Sequence, residues 1–174
     1  MRARGGVGVE PRSRWWALSA GALILATGAC SQPDPKRVLE VQDLEGYWTV
    51  VPSRDSLTYI SPTLRLRVKN SSADPLTSVQ ALASFRRKGE EGPWGSCFVT
   101  VSTHSKPLAP GAVQEIELTS DGTYHSPAPA AKMFDHGLFR DATVEVFFRT
   151  GSSWVKFGSL DVPRHIGRPG NSSG

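Results

Sequence analysis

In Pro62-Thr-Leu-Arg-Leu-Arg-Val-Lys-Asn70, apolar and basic side chains alternate without a break from Leu64 to Lys69. A period of two puts Leu64, Leu66 and Val68 on one face of an extended strand and Arg65, Arg67 and Lys69 on the other. Dense turn chemistry follows in Asn70-Ser-Ser-Ala-Asp-Pro75. Beyond it Val79, Ala81, Ala83 and Phe85 share a face, with Leu82 as an exception. Gly95 to Thr103 sets Cys97, Val99 and Val101 against Phe98. Ala112 to Leu118 sets Ile116 and Leu118 against Val113, which leaves room for a bulge. Val144, Val146 and Phe148 alternate in Ala142 to Arg149, and Thr150-Gly-Ser-Ser153 turns the chain into Trp154 to Val162. Upstream, Gly46 to Pro52 is rich in aromatic and β-branched residues. About seven short strands at intervals of roughly ten residues, with Gly/Pro turns between, predict an all-β antiparallel sandwich.

Ser120 to Asp141 interrupts the rhythm with Gly122, Pro127, Pro129 and Gly137. One helical turn is expected within Ala130 to His136. An irregular stretch of this length inside a compact domain is often functional.

The formal charge of +4 on 174 residues is concentrated at the N-terminus. Met1 to Ala29 holds four arginines and one glutamate, leaving 16 basic and 15 acidic residues in the remaining 145. That near-neutral balance argues against a nucleic-acid partner. Trp15 to Ala29 carries no charge. As a helix it rises roughly 22 Å, short of the ~30 Å hydrocarbon core of a bilayer. A basic start, a short apolar run and small residues at its end make a secretory signal peptide.

The end of that run, Leu25-Ala-Thr-Gly-Ala-Cys30, resembles the lipobox of bacterial lipoproteins. Gly28, Ala29 and Cys30 fit the pattern, and Thr27 stands where leucine is usual. The resemblance implies cleavage before Cys30 and attachment of diacylglycerol to its sulfur, so the membrane is a partner through lipid. Ser31, in place of aspartate, leans the chain toward an outer membrane, facing the periplasm. Acylation leaves Cys97 unpaired, as a small buried residue. The alternative is a Cys30–Cys97 disulfide in an oxidising, exported setting. Gln32 to Lys36, with two prolines, reads as a tether.

Leu64 to Phe85, followed by Leu108-Ala-Pro-Gly111, is similar to the immunoglobulin-like domains of the FxLYD and CARDB kind. Their pattern is a strand ending in V-x-N, a polar turn, an alternating strand, then L-x-P-G. The resemblance implies an immunoglobulin-like sandwich acting as a binding or spacer module, and carries no catalytic residue over. The expected organisation is a helical signal peptide (1–29), lipidated cysteine and tether (30–45), sandwich (46–163) and a disordered tail (164–174).

No catalytic residue and no cofactor is assigned. His125, Asp135 and His136 share the irregular segment and are the metal-ligand candidates, although no H-x-H, H-x₃-H or C-x₂-C spacing accompanies them. The basic strip of Arg65, Arg67 and Lys69, with Arg86 to Lys88 beyond it, reads either as a contact for anionic headgroups or as a solvated sheet face. Trp94, Met133, Phe134 and Phe139 are the expected apolar contact surface for an envelope protein partner. Asn70-Ser-Ser and Asn171-Ser-Ser fit the N-glycosylation sequon, read here as accidental. The functional expectation is a non-catalytic binding module anchored in the bacterial cell envelope. The alternative is a metal-binding or enzymatic protein with its site in 120–141.

Overall fold

The Leu64–Val68 alternation folds as expected. In the computed structural model, which describes residues 33–53 and 55–167, Leu64, Leu66 and Val68 are fully buried, whereas Arg65, Arg67 and Lys69 face out. They belong to β2 (Thr58–Asn70). The other strands are β1 (Leu39–Val51), β3 (Val79–Arg87), β4 (Gly95–Ser102), β5 (Val113–Thr119), β6 (Tyr124–Ser126), β7 (Ala142–Arg149) and β8 (Val155–Val162). Two four-residue helices, α1 (Pro35–Val38) and α2 (Ala130–Met133), complete the elements. Among the described residues no helix is long and apolar enough to cross a membrane.

Two antiparallel sheets pack face to face. One runs β1-β2-β5, with β6 also pairing β2; the other runs β4-β3-β7-β8. The chain is therefore an all-β sandwich. With β1, β2 and β5 adjacent in one sheet and β3, β7 and β8 in the other, the order is that of strands A, B, E and C, F, G of an immunoglobulin sandwich. Small residues face large ones across the second sheet: Ala81 pairs with Phe148, and Ala83 with Val146. Val113 is exposed simply by parity, and the β2–β5 register runs without a bulge.

Three boundaries differ from the sequence expectation. The sandwich begins at Leu39, not at Gly46, because β1 carries a bulge between Gln42 and Glu45. Asp43 sits there at φ 50°, a left-handed conformation that aspartate tolerates. The bulge shifts the inward positions from Leu39 and Val41 to Leu44, Gly46 and Trp48, and that change of parity hides the strand. The tether is shorter than expected, since Pro35 and Val38 are buried and the Thr150 hydroxyl donates to the Pro33 carbonyl (2.6 Å). The C-terminal segment is paired as far as Gly167. Ile166 bridges Trp48 in parallel, with Trp48 N–H donating to the His165 carbonyl (2.8 Å) and Gly167 N–H to the Trp48 carbonyl (2.9 Å). This covers part of the β1 edge, which would otherwise invite strand addition. Residues 168–174, with the second sequon, lie outside the described residues, as do the signal peptide and Cys30.

The basic strip is neutralised within its own sheet. Arg65 pairs with Glu45 (2.6 Å), Arg67 with Asp43 and Lys69 with Glu40 (3.4 Å) on β1. On β5, Glu117 and Glu115 stand opposite Arg65 and Arg67. Tyr47 donates to Glu117 (2.7 Å), and burial together with that carboxylate pushes its phenol well up. The strip is a charge ladder between strands, and this disfavours headgroup contact as its role.

Asn70 is fully buried and fully used. Its amide donates to the carbonyls of Asp74 (2.8 Å) and Leu108 (2.9 Å), and its side-chain oxygen accepts from Ser72 N–H (2.9 Å) and hydroxyl (2.7 Å). Its own carbonyl accepts from Gly111 N–H (2.9 Å). One residue thus joins the turn after β2 to the Leu108–Gly111 approach to β5. A glycosyltransferase cannot reach this amide in the folded chain. Asn70→Ala strands two carbonyls at ~1–3 kcal/mol for each that is not rehydrated. The expected loss is about 2–3 kcal/mol, measured by urea denaturation; a change below ~0.5 kcal/mol would contradict this role.

Candidate functional site

The segment from Ser120 to Asp141 closes one end of the sandwich. Asp121 starts it by bonding β4 in two places: its carboxylate accepts from Ser96 N–H (2.7 Å), and its own N–H donates to the Ser96 carbonyl (3.2 Å). Backbones approach closely here. A Cβ on Gly95 would stand 2.2 Å from Ser120 Oγ and 2.6 Å from Gly122 N, so only glycine fits. The chain then forms β6 against Thr58–Ile60, the α2 turn, and a run back to β7.

Trp48, fully buried on β1, is what the segment covers. Its ring lies 5.1 Å from Phe139, 5.9 Å from Tyr124, 6.0 Å from Phe134 and 6.3 Å from Trp94. Tyr124 lies between Trp94 (4.9 Å) and Phe139 (5.0 Å). The expected apolar contact surface is corrected by this packing. Met133, Phe134 and Phe139 are only 4, 8 and 6% exposed, and Trp94 is half-buried. Phe134, Phe139 and Trp94 pack around the indole of Trp48. Its Nε1 is left without a hydrogen-bond partner among the described residues.

Arg164 clamps the segment from the C-terminal side. Its guanidinium donates to both Asp141 oxygens (2.7 and 3.2 Å) and to the Phe134 carbonyl (3.0 Å), and lies 5.3 Å from the Phe139 ring centre. The Asp141 carboxyl is held below its ordinary range, first by that hydrogen bond and further by the charges of Arg164 and Lys88. A lowered folded-state pKa contributes stability that is fully present above the unfolded value of ~4 and is lost as pH falls through the folded value. Thermal melts from pH 7 down to pH 3 are therefore expected to show a smaller acid-induced fall in Tm for Arg164→Gln than for the wild type. Equal slopes would contradict the clamp.

Above this aromatic floor is a cavity of about 340 Å³. Tyr124, Met133 and Phe139 line its apolar side, with Leu138 at the rim, 75% exposed. Thr123 and Ser126 add hydroxyls. Its ionisable lining, Tyr124 aside, is Arg87, His125, Lys132 and His136, with no carboxylate among them. Arg87 also pairs with Glu90 (2.6 Å) and lies 5.2 Å from the Trp94 ring centre. Lys132 has no ion-pair partner among the described residues. His125 stacks on Tyr59 (5.4 Å). His136 Nδ1 accepts from Leu138 N–H (3.2 Å), which leaves Nε2 as the protonated, donating nitrogen of the neutral ring. Tyr124 is fixed from both sides: its oxygen accepts from Arg140 N–H (3.1 Å) and its hydroxyl donates to the Arg140 carbonyl (3.3 Å).

Of the metal-ligand candidates, His125 and His136 meet at this cavity, while Asp135 is exposed and does not line it. Among the described residues no group of three or more His, Cys, Asp or Glu side chains is placed to hold a metal ion. Cys97 is half-buried on β4 with no disulfide partner among the described residues, and burial pushes its thiol pKa up, away from thiolate chemistry. Lys132 and Tyr124 carry no motif that marks them in the sequence. Arg87 stands in a charge run that does not distinguish it from Arg86 or Lys88.

Fold and site together define an all-β sandwich with a small cationic-rimmed cavity at one end. No family model matches the chain, and no curated protein matches it. Among solved structures, one from Bordetella pertussis, provisionally described as an ApaA protein, is 14% identical over 75% of this chain and 97% of that one, with a TM-score of 0.37. A likeness at that level carries no argument about fold or function.

Proposed function

We propose that the chain is a lipid-anchored extracytoplasmic protein. Acyl chains on Cys30 hold it to a bacterial membrane, the outer membrane facing the periplasm in a Gram-negative cell. Its sandwich is a non-catalytic module that binds another component of the cell envelope. The lipobox-like Leu25–Cys30 supports the anchor, and the cavity built by the 123–139 segment supports binding. The cavity is the observation that carries the reading: the long stretch between β5 and β7 is spent on making a concave site over a packed floor. A pure spacer has no need of it. Crosslinking in the native envelope is expected to recover a defined adduct; a chain that recovers none is a spacer.

One observation favours a second reading. His125 and His136 line the same cavity, so a metal-binding or enzymatic role of the 120–141 segment has two imidazoles to draw on. Tight zinc binding abolished by His125→Ala or His136→Ala would establish it.

A further inference from the structure

We infer that the group recognised in the cavity is an organic anion: a carboxylate or phosphate on an apolar body about the size of one ring. This rests on reading the cavity as the binding site. The charged end meets Lys132 and Arg87, and the body lies on Tyr124, Met133 and Phe139.

Charge complementarity is the first argument. Several cations elsewhere pair with carboxylates, among them Arg65 with Glu45, Lys88 with Asp161, Lys156 with Glu145 and Arg164 with Asp141, while others, such as Lys106 and Arg140, have no such partner among the described residues. What distinguishes the cavity is that its cations converge on a concave lining without a carboxylate. No acidic side chain lines it, Lys132 is unpaired among the described residues, and only Arg87 shares its charge, with Glu90. A concave, low-dielectric wall focuses such an uncompensated field on whatever enters.

Size and lining give the second argument. About 340 Å³ is near the lower bound of small-molecule sites, roughly 300–1,000 Å³. That volume suits a ring or short chain and not a folded partner. Aromatic and thioether walls accept such a body. The site is also ordered before anything binds. Tyr124 is held by the Arg140 backbone and Phe139 by Arg164, so little freedom remains to be lost when a ligand arrives.

The test uses the full chain carrying Cys30→Ala, so that no acyl chain competes. Calorimetric titration compares 3-phenylpropionate and 2-phenylethyl phosphate with 3-phenylpropylamine and 3-phenylpropanol, which share one body and differ in head group. The two anions are expected to bind at least tenfold more tightly than the alcohol, and the amine not at all. Lys132→Met is expected to weaken the anions about tenfold, a loss of ~1.4 kcal/mol, and Lys132→Arg to restore them. Leu138→Glu, at an exposed position where no core is lost, is expected to abolish anion binding. Amine or alcohol binding as tight as the carboxylate, or an unchanged anion affinity in Lys132→Met, would overturn the inference. Failure of every probe, together with an envelope adduct recovered at the cavity, would overturn this inference and leave the binding module standing. Failure of both would overturn the two together.

Discussion

Trp48→Ala is expected to lose about 3–5 kcal/mol, the usual cost of emptying a buried tryptophan site. Stabilities of native domains run only ~5–15 kcal/mol, so this single change brings the domain close to unfolding. Two facts put the effect at the upper end. Trp48 is completely buried. Four aromatic rings lie within 6.3 Å of it, and each such pair adds ~0.5–1.5 kcal/mol beyond area burial. In urea the midpoint should fall by roughly 2 M at an ordinary m-value. Trp48→Phe should cost less than half as much. It keeps a ring in the cluster and removes an indole N–H that has no partner among the described residues, a group that costs ~1–3 kcal/mol to bury unpaired. A loss below ~1 kcal/mol for Trp48→Ala would mean that the 123–139 segment does not depend on this floor.

Cys30→Ser is expected to have the largest effect on where the protein is found. Lipid burial is worth ~0.8 kcal/mol per CH₂, so two or three chains anchor stably where one is reversible. Among the described residues no helix is long and apolar enough to cross a bilayer, and the basic strip on β2 is paired to carboxylates on β1. Cells fed an alkyne fatty acid should label the wild-type chain and not the variant, and the variant should leave the membrane fraction. Unchanged labelling and fractionation would refute the anchor, and the Cys30–Cys97 disulfide would then have to be examined by thiol titration.

How much of this is legible in the residues differs from element to element. β2 from Leu64 onward, β3 and β7 keep a period of two with one buried face, Leu82 and Phe147 aside, and their order with the turns between them is enough to predict a sandwich. The first half of β1 is not legible, because the Asp43 bulge changes which residues point inward halfway along. β6 is three residues long and is followed at once by Pro127 and Pro129, so no period can be counted. Ile166 and Gly167 sit in a polar, glycine-rich end, and only the exposed edge of β1 gives them a partner. The site is half legible. The breaks in rhythm mark 120–141, and His125 and His136 stand out there. The inward turn of Phe134 and Phe139 does not, since they pack on Trp48, more than eighty residues earlier in the chain. Lys132 looks like any surface lysine until the lining around it is seen to hold no carboxylate.

The central claim is that the cavity of the 123–139 segment is where this sandwich binds. A photo-crosslinking residue placed at Leu138, on the exposed rim, tests it in the native envelope. The same residue at Val113, exposed on β5 of the first sheet, is the control. The account predicts a defined adduct from position 138, identified by its mass, that is absent from position 113 and is lost when Lys132→Met is added. Adducts from neither position, or the same adducts from both, would contradict it.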